Sequence, residues 1–462
     1  MASGADGGLT FARVVLLVSG AVVASPASAH WTEEGVKKKI LFISEAISWS
    51  QLVRLLVLAR GLDPRRYEVH FASARFDERV FDGTNHFTRW PLTLIPAKKI
   101  EAIVASGSIR RLYDRAILEK YVADELRLYE AIRPDVVVAD ARFWSTAISA
   151  PAFGVPCVSI IDAYWSRRTA RKRFPVPDHP IVPLLGVPIA QRIFPIVFPL
   201  LSRYFVAPVN KLRRKYGLPD VGDLVDVVTW GDRVLFPDDP LVTPLTNQAL
   251  HETFLGPVCW SPQMPLPAFW DDLGRDRPMV YATLGSSGTV KAVQPLLEAL
   301  SDMDVDVVFS TAGRVTPKNA PPNVHVVEMI PGDLAARKAS VVVCNGGAST
   351  GYQALSEGTP IVSIPSNIDQ LLAATAMRDA GAGLFLRAAT VTSAKVRAAV
   401  ERVMREERFT QAAQRVAESF TAFDPHARFR AVIDEIIAQG GSANWPIRSM
   451  AVTQISGQNE PV

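Results

Sequence analysis

The stretch VVVCNGGASTGYQALSEGTPIVSIPSNIDQLLAA, residues 341 to 374, decides how this chain is read. Its first residues form a continuous apolar run, which suits a strand covered on both faces by helices. The pair Gly346-Gly347 follows, and Ser349 and Thr350 stand where the next helix should begin. Glycine lets the backbone pass close to a ligand, and a helix N-terminus offers unpaired N–H groups and a positive dipole end to phosphate oxygens. Strand, glycine turn and helix together describe a phosphate seat. A purely structural Ser or Thr cap after glycine shares the same local pattern.

Working outward, a second glycine turn, TLGSSG at 283–288, opens a series of similar units right after its first strand candidate. Apolar runs recur at 279–284, 305–310, 324–327, 341–344 and 360–364, with helical stretches between most of them. An earlier series has runs at 40–43, 67–72 and 136–138, with helical patterns from about Gln51 and around Tyr113 to Ile132. Continuous apolar strands alternating with helices predict an α/β fold of doubly wound parallel sheets. GPVCWSPQMPLPAFWDDLGRDRP, residues 256–278, is dense in proline and lacks periodicity, so it reads as a linker. The expected plan is a leader (1–36), an N-terminal domain (37–255), the linker, a C-terminal domain (279–440) and a polar tail (441–462).

A chain of 462 residues has room for two cores. A net charge of +4 with 48% hydrophobic residues argues against a disordered chain and against a strongly basic nucleic-acid binder. Cys157, Cys259 and Cys344 and the seven histidines show no paired ligand spacing, which predicts buried thiols in a reducing compartment and no metal site. The glycine spacing of a dinucleotide fingerprint and the GxxxxGKS/T loop are both missing, so nicotinamide cofactors and ATP hydrolysis are disfavoured.

Two segments stand apart. RVVLLVSGAVVASPASA, residues 13–29, with Arg13, an apolar stretch and Ala27-Ser28-Ala29, approaches a cleavable export signal, or is simply a leader outside the fold. IVPLLGVPIAQRIFPIVFPLLSRYFVA, residues 181–207, is almost wholly apolar, yet Pro183, Pro188, Pro195 and Pro199 are too many for one straight membrane-spanning helix. Arg167, Arg168, Arg171, Lys172 and Arg173 precede it, and Lys211, Arg213, Arg214 and Lys215 follow. Apolar surface rimmed by cations suits a lid touching an anionic bilayer or an apolar substrate; a buried interdomain hairpin suits the same composition.

The stretch Asn345-Gly346-Gly347-Ala348-Ser349-Thr350, then Gln353, Gly358-Thr359-Pro360 and Asp369-Gln370, resembles the donor signature of nucleotide-sugar glycosyltransferases with two facing Rossmann-like domains, the GT-B fold. The resemblance is to the inverting family that includes UDP-glucuronosyltransferases and antibiotic macrolide glycosyltransferases, whose signature reads His-Gly-Gly-x-Gly-Thr, Glu, Gly-x-Pro and Asp-Gln. With Leu284-Gly285-Ser286 and Gly256-Pro257 it covers nearly all of residues 38–440. It implies that Gly285, Ser286, Gly346, Gly347, Ser349 and Thr350 surround the diphosphate, with Asn345 replacing a phosphate-binding His. Gln353 replaces a Glu that takes ribose hydroxyls, and Asp369 and Gln370 hold the sugar. It implies a UDP- or dTDP-type donor as co-substrate, a small, apolar or lipid-like acceptor, inversion, and no resident cofactor or metal.

The same resemblance exposes a missing group. The family's general-base His falls on Gln51, and the Asp that orients it falls on Asp140. Glutamine cannot take a proton, and a positioned base is worth roughly 10²–10⁴-fold in rate. Asp140 could itself serve as base, with Glu45 on the same turn in reserve. The acceptor could be acidic enough to need none, or the chain could bind donor without turnover as an auxiliary protein. An epimerase would share the architecture without an acceptor. Trp49, Phe143, Trp144 and Trp165 lie in or after N-terminal loops and could line an acceptor pocket. Because nucleotide sugars are cytoplasmic, the expected location is the cytoplasm, with peripheral membrane contact through 181–207.

Overall fold

The run KKILFIS forms β1 (Lys38–Ser44), whose last five residues are buried. A computed structural model describes residues 36–45, 49–92, 113–170, 174–178, 182, 185–315, 317 and 319–440. The signal-like segment 13–29, the cations at 171–173 and the tail 441–462 lie outside them. Everything described from Lys37 onward belongs to one compact body.

Six further strands join β1: β2 (Tyr67–Ser73), β3 (Thr88–Pro91), β4 (Val136–Asp140), β5 (Cys157–Ile160), β6 (Arg233–Phe236) and β7 (Glu252–Phe254). Their order is β3-β2-β1-β4-β5-β6-β7, and every pairing is parallel. A second sheet is built from β8 (Met279–Thr283), β9 (Asp306–Ser310), β10 (Val324–Val327), β11 (Val341–Cys344), β12 (Ile361–Ser363) and β13 (Gly383–Phe385). It runs β10-β9-β8-β11-β12-β13, again all parallel. Each sheet reverses its winding once, between β1 and β4 and between β8 and β11. In doubly wound sheets, ligands bind beyond the strand ends at that switch. The turn after β1, Asp140 at the end of β4 and both glycine turns are all there.

The sequence reading missed β3, β5, β6, β7 and β13. Each is only three or four residues long, too short for hydrophobic periodicity to register. It also put the whole of 279–440 in the C-terminal domain, and the last helix departs from that. Phe429, Val432, Ile433 and Ile436 of Pro425–Ala438 recur at helical spacing and are buried with Ile40, Phe42 and Val138 of the first sheet. The rings of Phe42 and Phe429 lie 5.9 Å apart, and Asp434 accepts hydrogen bonds from Arg66 (2.9 Å) and from the Tyr67 hydroxyl.

The apolar segment at 181–207 is not a hairpin. From Val187 to Lys215 it is one helix carrying Pro195, Pro199 and Pro208 inside it. Cys157 and Cys344 are buried as expected, whereas Cys259 in the linker is half-buried.

Candidate active site

On the donor side, β11 ends at Cys344, and Gly346 takes a left-handed conformation (φ +74°). A Cβ there would sit 3.0 Å from the Ala374 methyl and 3.1 Å from the Ser363 Cβ, so only glycine fits without strain. The helix Ala348–Ser356 starts next, with Gly347 as its cap. Its first helical bond runs from Gly351 N–H to the Gly347 carbonyl (3.0 Å), and Asn345 Oδ1 accepts the Gly347 N–H (3.0 Å). The N–H groups of Ala348, Ser349 and Thr350 therefore have no acceptor within the helix. Ser349 Oγ is buried there without a hydrogen-bond partner. Such N–H groups at a helix N-terminus, with the Ser349 hydroxyl beside them, have the chemistry to donate to phosphate oxygens.

Three side chains named from the sequence are committed elsewhere. Gln370 is buried; its Oε1 accepts from Ser366 N–H (2.9 Å) and Ser366 Oγ–H (3.0 Å), while its Nε2 donates to Ser287 Oγ (3.1 Å). Asn345 Nδ2 also donates to Ser287 Oγ (3.4 Å). Gln353 Nε2 donates to the Trp260 carbonyl and to Ser261 Oγ (3.0 Å) in the linker. In this conformation Gln370 ties the two glycine turns together and Gln353 ties the donor helix to the linker, instead of presenting free amides to sugar and ribose.

Across the cleft, both Asp140 oxygens belong to Arg142. Oδ1 accepts from its backbone N–H (3.0 Å) and Nε (2.9 Å), and Oδ2 accepts from Nη2 (2.7 Å). The remaining nitrogen, Nη1, lies 3.3 Å from Asp369 Oδ2 at the other sheet. Asp369 Oδ1 accepts from the Trp165 indole (2.8 Å) and the Tyr164 hydroxyl (3.3 Å). Glu45, immediately after β1, is buried and accepts a hydrogen bond from the Tyr121 hydroxyl, 2.7 Å from Oε1. Burial pushes its carboxyl up to about 7, opposed by the Tyr121 hydrogen bond and reinforced by the Asp140 charge. Gln51 is buried in the first turn of Trp49–Arg60. Phe143 meets Tyr121 edge-on at 4.8 Å, and Trp144 stacks on Tyr113 at 3.6 Å.

Residues 294–448 match the family described as Erythromycin biosynthesis protein CIII-like, C-terminal domain. A PGL/p-HBAD biosynthesis glycosyltransferase of Mycobacterium tuberculosis (strain ATCC 25177 / H37Ra) is 42% identical over 386 residues, 83% of this chain and 89% of the relative. The chain belongs to this glycosyltransferase family. An inactive PGL/p-HBAD biosynthesis glycosyltransferase of Mycobacterium bovis (strain BCG / Pasteur 1173P2) is 41% identical over 266 residues, 57% of this chain and 71% of that one. The solved spinosyn forosaminyltransferase SpnP superposes with a TM-score of 0.62 at 21% identity, over 87% of this chain and all of that structure, which shows the GT-B fold.

In this nucleotide-sugar glycosyltransferase the structure links the sequence-predicted Asp140 and Asp369 through Arg142 and places Glu45 near Asp140, but the sequence reading missed Arg142, Tyr121 and Ser287. Arg142 had a signal available, a cation two residues beyond a strand-end aspartate. Tyr121 had none, because it lies on a helix 76 residues away in the chain from the carboxylate it touches.

Proposed function

We propose that this glycosyltransferase moves a sugar from a UDP- or dTDP-type donor to a hydroxyl of an apolar, lipid-like acceptor with inversion, using Glu45 as general base. The observation that carries the reading is the Glu45 carboxyl: buried, raised to about 7 and hydrogen-bonded by the neutral Tyr121 hydroxyl. Such a group is half ionised near neutral pH and can accept a proton. Asp140 suits the role less, since Arg142 occupies both of its oxygens.

In the reaction, Glu45 takes the acceptor proton as the acceptor oxygen attacks the anomeric carbon. The bond from that carbon to the diphosphate oxygen breaks on the opposite face, and the electron pair leaves with the diphosphate. The N–H groups of Ala348, Ser349 and Thr350, with the Ser349 hydroxyl, receive the departing charge. Asp369 faces the sugar. No resident cofactor or metal is invoked. The PGL/p-HBAD pathway in the relative's name supports a pathway of the same kind here, on the cytoplasmic side where nucleotide sugars are found.

A second reading, donor binding without turnover, draws support from Gln51 and from the relative named inactive. The test is release of nucleoside diphosphate from a panel of UDP- and dTDP-sugars, with and without a lipid extract, for wild type, Glu45→Gln and Asp140→Asn. Acceptor-dependent release lost in Glu45→Gln supports transfer with the relocated base. Donor binding with no release in any condition favours the second reading.

A further inference from the structure

The helix Val187–Lys215 has two apolar faces, and the protein uses one. Val206, Val209 and Leu212 are buried in the core that contains Leu118, Val122 and Ile148. On the other side Ile189, Ile193, Ile196, Leu200 and Tyr204 follow one another at steps of three and four residues, so they form a single stripe. Ile196 is 74% exposed, Leu200 67% and Tyr204 54%. Only 22% of the helix's most apolar stretch is buried. The stripe runs about 22 Å along the helix at 1.5 Å per residue, and soluble surfaces rarely leave so much apolar area bare.

Charge indicates what covers it. Residues 187–215 contain no Asp or Glu, and Arg192, Arg203, Lys211, Arg214 and Lys215 are exposed. Arg214 pairs with Asp220 (2.6 Å) and Lys215 with Glu119 (3.5 Å). Arg192 and Arg203, at the margin of the stripe, make no ion pair among the described residues. An apolar stripe edged by cations complements a bilayer with anionic headgroups. Since its opposite face is packed on protein, the helix lies along such a surface and does not cross it.

The same helix reaches toward the cleft. Phe198 stacks on Phe174 at 4.5 Å and Phe194 lies 6.2 Å from it; Phe174 lies 6.1 Å from Trp165, whose indole N–H donates to Asp369. A relay of aromatic rings thus joins the exposed helix to the carboxylate at the sugar site. We propose that Val187–Lys215 docks in the plane of an anionic bilayer and that the acceptor passes from it to the cleft along Phe198, Phe174 and Trp165. This deepens the proposed function and rests on its lipid-like acceptor.

The experiment is flotation of the full chain with phosphatidylcholine vesicles, with and without about 30% phosphatidylglycerol. Wild type is compared with the double variants Ile196→Glu/Leu200→Glu and Arg192→Glu/Arg203→Glu. Expected are binding at least about tenfold stronger to the anionic vesicles, loss of about tenfold or more in either variant, and weakening by salt. Binding of nucleoside diphosphate, measured in parallel, should be unchanged and shows that each variant is folded. Equal binding to both vesicle types, no binding, or a wild-type dimer in light scattering that Ile196→Glu/Leu200→Glu dissolves would overturn the proposal. Flotation in a protein that never releases diphosphate would instead overturn the transferase reading and leave the docking surface standing.

Discussion

Arg142 Nη1 stands 3.3 Å from Asp369 Oδ2, while the rest of the same guanidinium holds Asp140. One side chain thus joins the strand-end carboxylate of the first sheet, Asp140, to Asp369 on the helix that follows β12 of the second. Asp140 is buried, while Arg142 and Asp369 are partly exposed. If Asp369 holds the sugar as proposed, a sugar hydroxyl reaching it competes with Arg142.

Asp369→Asn should separate sugar recognition from nucleotide recognition. The amide oxygen can still accept from Trp165, and Arg142 keeps its pairing with Asp140, so stability should fall by less than about 1 kcal/mol. Titration calorimetry is expected to show affinity for the nucleotide sugar reduced about tenfold and affinity for the bare nucleoside diphosphate unchanged. Equal losses for both ligands would remove the sugar from this position.

Ser349→Ala should move binding and stability in opposite directions. The hydroxyl is buried without a partner, so deleting it removes an unsatisfied group and puts a better helix former in its place. Thermal unfolding should show the variant equal to wild type or more stable by up to about 1 kcal/mol. Nucleoside diphosphate should bind it about three- to tenfold more weakly.

Glu45 should set the pH dependence of turnover. The ionised form is the active one, so log kcat/KM should rise with unit slope up to about pH 7 and level off above. Glu45→Gln should lower kcat by roughly 10²–10⁴-fold and abolish that limb of the profile. Asp140→Asn with the limb intact would agree with this assignment, whereas loss of the limb in Asp140→Asn and its survival in Glu45→Gln would reverse it.

Glu125 should weaken the fold as pH rises. It lies wholly buried in the helix Arg115–Ile132, hydrogen-bonded to the Ser145 (2.6 Å) and Ser149 hydroxyls, and burial raises its carboxyl from 4.5 to about 8. The native state keeps this proton through the window from 4.5 to about 8, in which the unfolded chain loses it. The stability the group contributes is therefore complete below about pH 4.5 and declines until about pH 8. Glu125→Gln holds the neutral form at every pH. Its unfolding free energy from urea denaturation, relative to wild type, should climb across that window by up to about 5 kcal/mol; a difference that does not change with pH would contradict the assignment.

Much of the plan was legible in the residues themselves. Continuous apolar runs ending in glycine turns, at 279–288 and 341–350, force strand, turn and helix in that order, because only glycine takes the left-handed φ at Gly285 and Gly346. The parallel sheets and the phosphate seat both follow from that local chemistry. The loss of the usual base rests on the family resemblance, which puts a general-base His at Gln51, a residue without a basic nitrogen.

What no local pattern contains is which side chains meet across the fold. Gln370 was read as a sugar ligand from its place in the signature, but Ser287, 83 residues away, and Ser366 occupy its amide. Asp140 is a candidate base by sequence, but Arg142 holds both of its oxygens. Glu45 is the better candidate base only because burial and the Asp140 charge raise its affinity for a proton, against the Tyr121 hydrogen bond. The sequence by itself determined the longer strands, the glycine turns and the start of the helix after Gly347, which depend on backbone conformation and hydrophobic period. Only the tertiary structure decided which carboxylate is paired with Arg142 and which is raised by burial, because charge pairing and desolvation arise from residues brought together by the fold.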